Sequence, residues 1–136
     1  MAFLIDTSAL IHVLRDKTGL LGPRYDTVVA DEAVRLSQAS SFELLKGARD
    51  EAEWSRLEQL LSTQIILECD AATWTEAARL VFEMRRLGLT LRNPIDALIA
   101  QTALDHNLTI VHDDQDFELI ARMRPRSLLR FRPQDT

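Results

Sequence analysis

Cysteine is almost missing from this chain. Cys69 stands alone among 136 residues, which excludes an internal disulfide and a cysteine-built zinc site. A free thiol of this kind is expected in the core, at the end of a strand. No apolar run approaches the roughly 20 residues that a membrane span needs. The first residues lack a basic region and reach Asp6 early, which argues against a secretory signal; a cytoplasmic location and no membrane partner are expected. Glycine and proline number four each, and neither a linker nor an internal repeat is visible. One domain over 1–136 with one continuous core is the expectation. Excess positive charge is absent as well. The net charge is −5 and the pI about 5.2, which argues against duplex binding through a broad basic surface. It leaves open a nucleic-acid substrate held locally through metal ions. What is present is an ordinary globular composition, 46% hydrophobic and 27% charged.

The organising stretch is Phe3-Leu4-Ile5-Asp6-Thr7-Ser8-Ala9-Leu10-Ile11. It reads as a buried strand ending on a carboxylate, a turn whose Thr7 and Ser8 hydroxyls can cap, and a helix over Ser8–Arg15. Residues 19–27 read as a loop or short irregular helix, and 26–33 stay ambiguous between a strand at Val28-Val29 and a helical turn. Val34–Ser37 alternates as a second strand. Ser40 followed by Glu43 forms a capping box that opens a helix to Arg49. Glu51–Ser62 follows as a helix with Trp54, Leu57, Leu60 and Leu61 at helical spacing. Gln64–Cys69 is a third strand, and Asp70 caps a helix whose stripe is Trp74, Ala77, Ala78, Val81 and Met84, ended by Gly88. Asn93-Pro94 opens another helix, with Asn107 as its left-handed stop. Leu108–His112 is a strand, Asp116–Met123 a short helix, and Leu128–Phe131 an edge strand. Strands alternating with helices imply an α/β chain, a three-layer α/β/α sandwich around a mostly parallel sheet.

Carboxylates gather at element ends. Asp6 follows the first strand, Glu43 lies early in the helix after the second, and Asp114 and Asp116 follow the strand ending at His112. In a parallel sheet these positions share one edge. Asp96, third in the helix opened by Asn93-Pro94, needs a less regular placement to reach that edge, because its helix precedes its strand. Each acid has a local alternative: a capping box for Glu43, a helix dipole for Asp96, an N-cap for Asp114. Together they repel one another and call for a cation or a proton. Oxygen-only donors suit Mg²⁺ or Mn²⁺, and such clusters commonly carry out phosphoryl chemistry on water activated by metal ions. His12, His106 and His112 fit packing or surface roles. Arg122, Arg124, Arg126, Arg130 and Arg132 cluster near the end, as a solvated tail or as a basic rim for an acidic partner.

These residues resemble the PIN-domain ribonucleases, specifically the VapC-type toxins of VapBC toxin–antitoxin pairs. Leu4-Ile5-Asp6-Thr7-Ser8-Ala9-Leu10 is similar to that family's first acidic motif. Ser40–Gly47 is similar to the second, with Glu43 as its acid. Asn93-Pro94-Ile95-Asp96-Ala97-Leu98-Ile99-Ala100 resembles the third, and Ile110–Phe117, with Asp114 and Asp116, the fourth. The resemblance implies a PIN-like fold and an Mg²⁺- or Mn²⁺-dependent endoribonuclease that cuts tRNA or rRNA, leaving a 5′-phosphate and a 3′-hydroxyl. It implies Asp6, Glu43, Asp96 and Asp114 as catalytic acids, a metal shell of Asp6, Asp96, Asp114 and Asp116, and support from Thr7 and Ser8. A cognate antitoxin and a homodimer are the implied partners. An inhibitor of such an anionic site is expected to insert an arginine, docking over Leu10, Leu14, Leu45 and Trp54.

A phosphoacceptor receiver domain would need an acidic pair after the first strand and a late lysine; here one acid stands there and no lysine follows Lys46. The same residues also fit a non-catalytic PIN-like scaffold, or an RNA-processing nuclease outside any toxin–antitoxin pair.

Overall fold

The computed structural model describes residues 1–134; positions 135 and 136, the end of the expected domain span, lie outside the described residues. Strands β1 (Ala2–Ile5), β2 (Ala33–Ser37), β3 (Ile66–Leu67), β4 (Thr109–His112) and β5 (Leu128–Arg130) form one sheet in the order β3-β2-β1-β4-β5. Every pairing in it is parallel. Helices α1 (Thr7–Leu14), α2 (Leu21–Val29), α3 (Gln38–Lys46), α4 (Glu51–Ser62), α5 (Ala71–Arg86), α6 (Ile95–Asp105) and α7 (Gln115–Met123) flank it. The α/β/α sandwich expected from the alternation of elements is the observed architecture.

Side chains alternate across the central strands, so each strand feeds two cores. Leu4 and Ile110 pack with Leu80, Met84, Ile99 and Phe117 of the helices on one face. Phe3, Ile5 and Val111 pack with Ala9, Val29 and Phe131 on the other. Leu36, Leu44, Leu57 and Leu61 close a third cluster under α3 and α4. Leu4 is fully buried, and truncating it to alanine costs about 2–5 kcal/mol.

The chain leaves β1 for β2 on one side and later adds β4 on the other. Beyond the carboxyl ends of β1 and β4, at this reversal of strand order, an open parallel sheet has its crevice. Only His106, Asn107 and Leu108 separate α6 from β4, so α6 runs antiparallel to its strand and its first turn lies at the crevice edge. Thr73, at the start of α5, donates to Asp105 at the end of α6 (2.8 Å), so the two helices are antiparallel as well. The expectation that Asp96 needs an irregular placement is thereby corrected: a helix feeding a strand through so short a link must begin at the strand's carboxyl edge. Asn107, with φ of 53°, makes the left-handed stop that allows the link.

The helical alternative holds for residues 19–27, which lie largely within α2, and for Val28-Val29, through which α2 runs. Other local expectations change. Only Ile66 and Leu67 of the expected 64–69 strand pair with β2. The buried stripe of α5 is Thr73, Ala77, Leu80 and Met84, with Trp74 at 55% exposure on the outer side. Cys69 is only partly buried, in the loop after β3, with its sulfur 3.7 Å from the Thr102 hydroxyl.

Candidate active site

The first acid is placed by the end of β1. The Asp6 amide donates to the Val111 carbonyl (2.9 Å), continuing the β1–β4 ladder past the last strand residue. The chain then turns into α1, and Asp6 itself is the N-cap: its Oδ2 accepts from the Ser8 amide at 2.9 Å. The expected capping by Thr7 and Ser8 is corrected, because these residues are already in helical conformation. Their hydroxyls work outward instead. Ser8 Oγ donates to Asp6 Oδ2 (2.5 Å) and accepts from the Asp113 amide (2.9 Å), tying β1's end to β4's. Thr7 Oγ1 donates to the Ser40 carbonyl (3.2 Å), tying α1 to α3.

The Ser40–Glu43 capping box does not form. β2 turns directly into α3 at Ser37, whose Oγ accepts from the Ala39 amide, so α3 starts earlier and Ser40 lies buried inside it. Released from that role, Glu43 accepts from the Asn93 amide group through Oε2. Asn93 Oδ1 in turn accepts from the Ile95 amide at 3.1 Å, which steadies the start of α6. Asp96, one residue further, is 2% exposed.

On the β4 side, Asp114 caps α7: its Oδ1 accepts from the Asp116 amide at 2.9 Å. Asp116 Oδ2 accepts from the backbone amides of Arg92 (3.0 Å) and Asn93 (3.2 Å). The Asp114 amide donates to Nδ1 of His112, whose ring is fully buried against Phe117 with centroids 5.1 Å apart. Burial lowers the His112 pKa, and the packed role expected of it holds.

The five acids converge through Asp96. Oxygens of Asp6, Glu43 and Asp96 lie within 4.8 Å of one another, and so do those of Asp96, Asp114 and Asp116. Within these acids, Asp6 Oδ1 and Asp96 Oδ2 are buried and accept no hydrogen bond. Buried acceptors without donors are rare and carry a full desolvation penalty. The acids respond by holding protons. Burial, then the Asp6, Asp114, Glu43 and Asp116 charges, push Asp96 up to about 9. Burial raises Asp6 to about 6 against the lowering effect of Ser8, and burial raises Glu43 too. All-oxygen donors, crowded charge and orphaned buried lone pairs are what a hard divalent cation satisfies, so the residues present fit such an ion.

Sequence reasoning missed the segment before α6. Arg92 donates through Nη2 to Asp114 Oδ1 (3.1 Å), with Nε 3.8 Å from Asp116 Oδ1. Nothing local in Arg92-Asn93 signals a contact to residues more than twenty positions away. His12 and Arg130 were missed as well: both hold Asp113, at 2.7 and 3.0 Å, and so steady the turn that carries Asp114.

A parallel sheet with its crevice between β1 and β4, lined by carboxylates from four chain segments, defines a PIN domain. That family matches residues 3–123, and the chain belongs to it. Among individual relatives, it is 34% identical over 132 residues to VapC ribonuclease Mb1587 of Mycobacterium bovis and, equally, to ribonuclease VapC11 of Mycobacterium tuberculosis, covering 95% of this chain and 98% of each relative. In structure it is similar to VapBC2 from Rickettsia felis bound to a promoter DNA fragment, with a TM-score of 0.78 and 21% identity over 97% of this chain and 100% of that one.

Proposed function

We propose that this chain is a metal-dependent endoribonuclease that acts as the toxin of a type II toxin–antitoxin pair, as one PIN-like domain over 1–136. The observation that carries the metal-dependent reading is the pair of orphaned buried oxygens on Asp6 and Asp96 within the shared acid cluster. The relatives named as ribonucleases supply the reaction class. Asp6, Asp96, Asp114 and Asp116 would hold Mg²⁺ or Mn²⁺, with Glu43 beside them. When bound, such an ion supplies positive charge for the phosphodiester oxygens and lowers the pKa of attacking water. The chain's own residues do the rest. Ser8 and Thr7 lock the turn that aims Asp6. Asn93 aims Glu43, and the amides of Arg92 and Asn93 hold Asp116. The low-exposure floor around Asp96 keeps bulk water from screening the acids. Cleavage of an RNA substrate with added Mg²⁺ or Mn²⁺, its loss in chelator and its loss in Asp96→Asn test the reading. Cleavage that persists in chelator would defeat it.

Two apolar surfaces suit the partners. A cleft of about 270 Å³ between α1, α2, α4 and β2 is lined by Leu10, Val13, Leu14, Tyr25 and Leu60. It suits the antitoxin, and it contains two of the four docking residues expected from sequence, Leu10 and Leu14. Phe42 and Trp74, 60% and 55% exposed, share a second cleft with Ile95 and Leu98 and suit a second copy of the chain. No helix among the described residues is long and apolar enough to cross a membrane. A cytoplasmic site of action completes the proposal.

A further inference from the structure

The arginines near the end of the chain are not a uniform basic tail. Arg124 pairs with Glu83 at 2.6 Å, and Arg130 pairs with Asp113 at 3.0 Å. Arg126 donates to the Ala100 and Arg124 carbonyls. These three are structural. Arg122 differs: it is exposed and makes no hydrogen bond or ion pair among the described residues. It lines a cleft of about 280 Å³ together with Thr90, Arg92, Gln115, Asp116, Glu118 and Leu119. The Arg92 side chain is 74% exposed, so packing does not confine it, while its backbone amide is fixed on Asp116.

We propose that the cleft between Arg92 and Arg122 is a phosphate subsite for the RNA strand, next to the acids. The inference rests on the nuclease reading above and adds where the strand runs. Asp116 lines both this cleft and the acid cluster, so a strand with its scissile phosphate at the acids passes directly into the cleft. Of the cleft's two carboxylates, Asp116 accepts from the Arg92 and Asn93 amides, while Glu118 is half exposed, 3.5 Å from His112 Nε2. Arg92 gives Asp114 only Nη2 within hydrogen-bond distance, at 3.1 Å, and leaves Nη1 of its exposed guanidinium to a phosphate.

The test is fluorescence anisotropy of a short labelled single-stranded RNA in chelator, across a salt series, for wild type, Arg92→Gln, Arg122→Gln and Arg92→Lys. Each glutamine variant is expected to bind more weakly and to reduce the salt slope by about 0.7, the share of one phosphate contact on a single strand. Arg92→Lys is expected to keep the slope. In metal-loaded cleavage, Arg122→Gln should raise KM more than it lowers kcat. Arg122 has no structural contact to lose, so its variant folds and keeps the inference falsifiable if Arg92→Gln does not. Wild-type slopes in both glutamine variants would overturn the subsite. Because binding is read without metal, a wild type that binds RNA but never cuts it would count against the nuclease reading and not against the cleft.

Discussion

Buried acids in two regions of the molecule meet opposite fates. Asp6 and Asp96 are 3% and 2% exposed, and Glu53 is 7% exposed. Glu53 is surrounded by donors. Arg49 reaches its Oε2 through Nη2 (2.7 Å) and Nε (3.0 Å), while Arg15 and the Arg49 amide reach Oε1, both at 3.1 Å. The Arg49 contact, above all, holds its carboxyl at about 2. Asp6 and Asp96 each keep an oxygen with no donor, and their pKa values rise instead. Similar exposure gives an ionised structural knot in one place and proton-holding acids in the other. Burial makes the charge expensive; whether the fold supplies the counter-charge decides what the acid is for.

The largest effect that can break this contrast is on the reaction. Asp96→Asn is expected to lower cleavage by about 100-fold or more, the scale of losing one electrostatic group at a reacting centre, whereas Glu53→Gln should leave kcat within a few-fold. Steady-state cleavage of one RNA by both variants measures it, and equal losses would erase the distinction. Asn93→Ala comes next. Removing the partner that aims Glu43 should weaken Mn²⁺ binding by about 10–100-fold, as loss of outer hydrogen bonds to ligands commonly does. Calorimetric titration with Mn²⁺ reads it directly, and unchanged affinity would show that Glu43 needs no aiming.

Stability sharpens the comparison further. In chelator, Asp6→Asn should melt at the same temperature as wild type or higher, since it relieves charge crowding and asparagine caps α1 as well as aspartate does. Mn²⁺ at about 100 times its Kd should stabilise wild type by about 2.7 kcal/mol and the variant by less. Equal shifts would make Asp6 only a helix cap. Glu53→Gln, in contrast, should melt lower than wild type at neutral pH, with or without metal.

The pH profile carries the two signs apart. Asp6 and Asp96 have folded pKa values of about 6 and about 9, above the unfolded value near 3.9. Between those values the folded chain holds protons that the unfolded chain has released, so stability falls as pH rises from about 4 to 9. Glu53 is depressed to about 2, so its contribution is complete above the unfolded value near 4.3 and is lost as pH falls toward 2. Chelated protein should therefore melt highest near about pH 5. Mn²⁺ should flatten the alkaline limb alone. Melting curves across the range decide it, and a profile that rises with pH beyond 6 in chelator would contradict the proton-holding acids.

The element types were largely legible from sequence, because the apolar strands of a twice-covered parallel sheet and the helical spacings of α4, α6 and α7 are local signals. So was the set of acids: Asp6, Asp96, Asp114 and Asp116 stand at element ends, Glu43 lies a turn deeper in α3 than its expected place near the helix start, and the structure brings all five together. Where reading failed, two local signals competed or a distant partner decided. Ser40 followed by Glu43 matched a capping box, but Ser37, at the end of β2, captured the helix start first. Trp74 fitted a buried stripe, yet Thr73 took the inward position by bonding Asp70 and Asp105.

By itself, then, the order of residues determined which side chains could carry chemistry and roughly where along each element they stand, because those depend on neighbours a few positions away. Only the tertiary structure decided which acids share a cation-sized space, which oxygens are left without donors, and which arginines are consumed. Glu43 meets Asn93 across fifty positions, and Arg92 meets Asp114 across twenty-two. Contacts of that span exist only once the parallel sheet has brought β1 and β4 side by side and set the first turn of α6 above their ends. Charge balance at a buried site is a property of that assembly, since the energy of each carboxylate depends on every donor and charge packed around it.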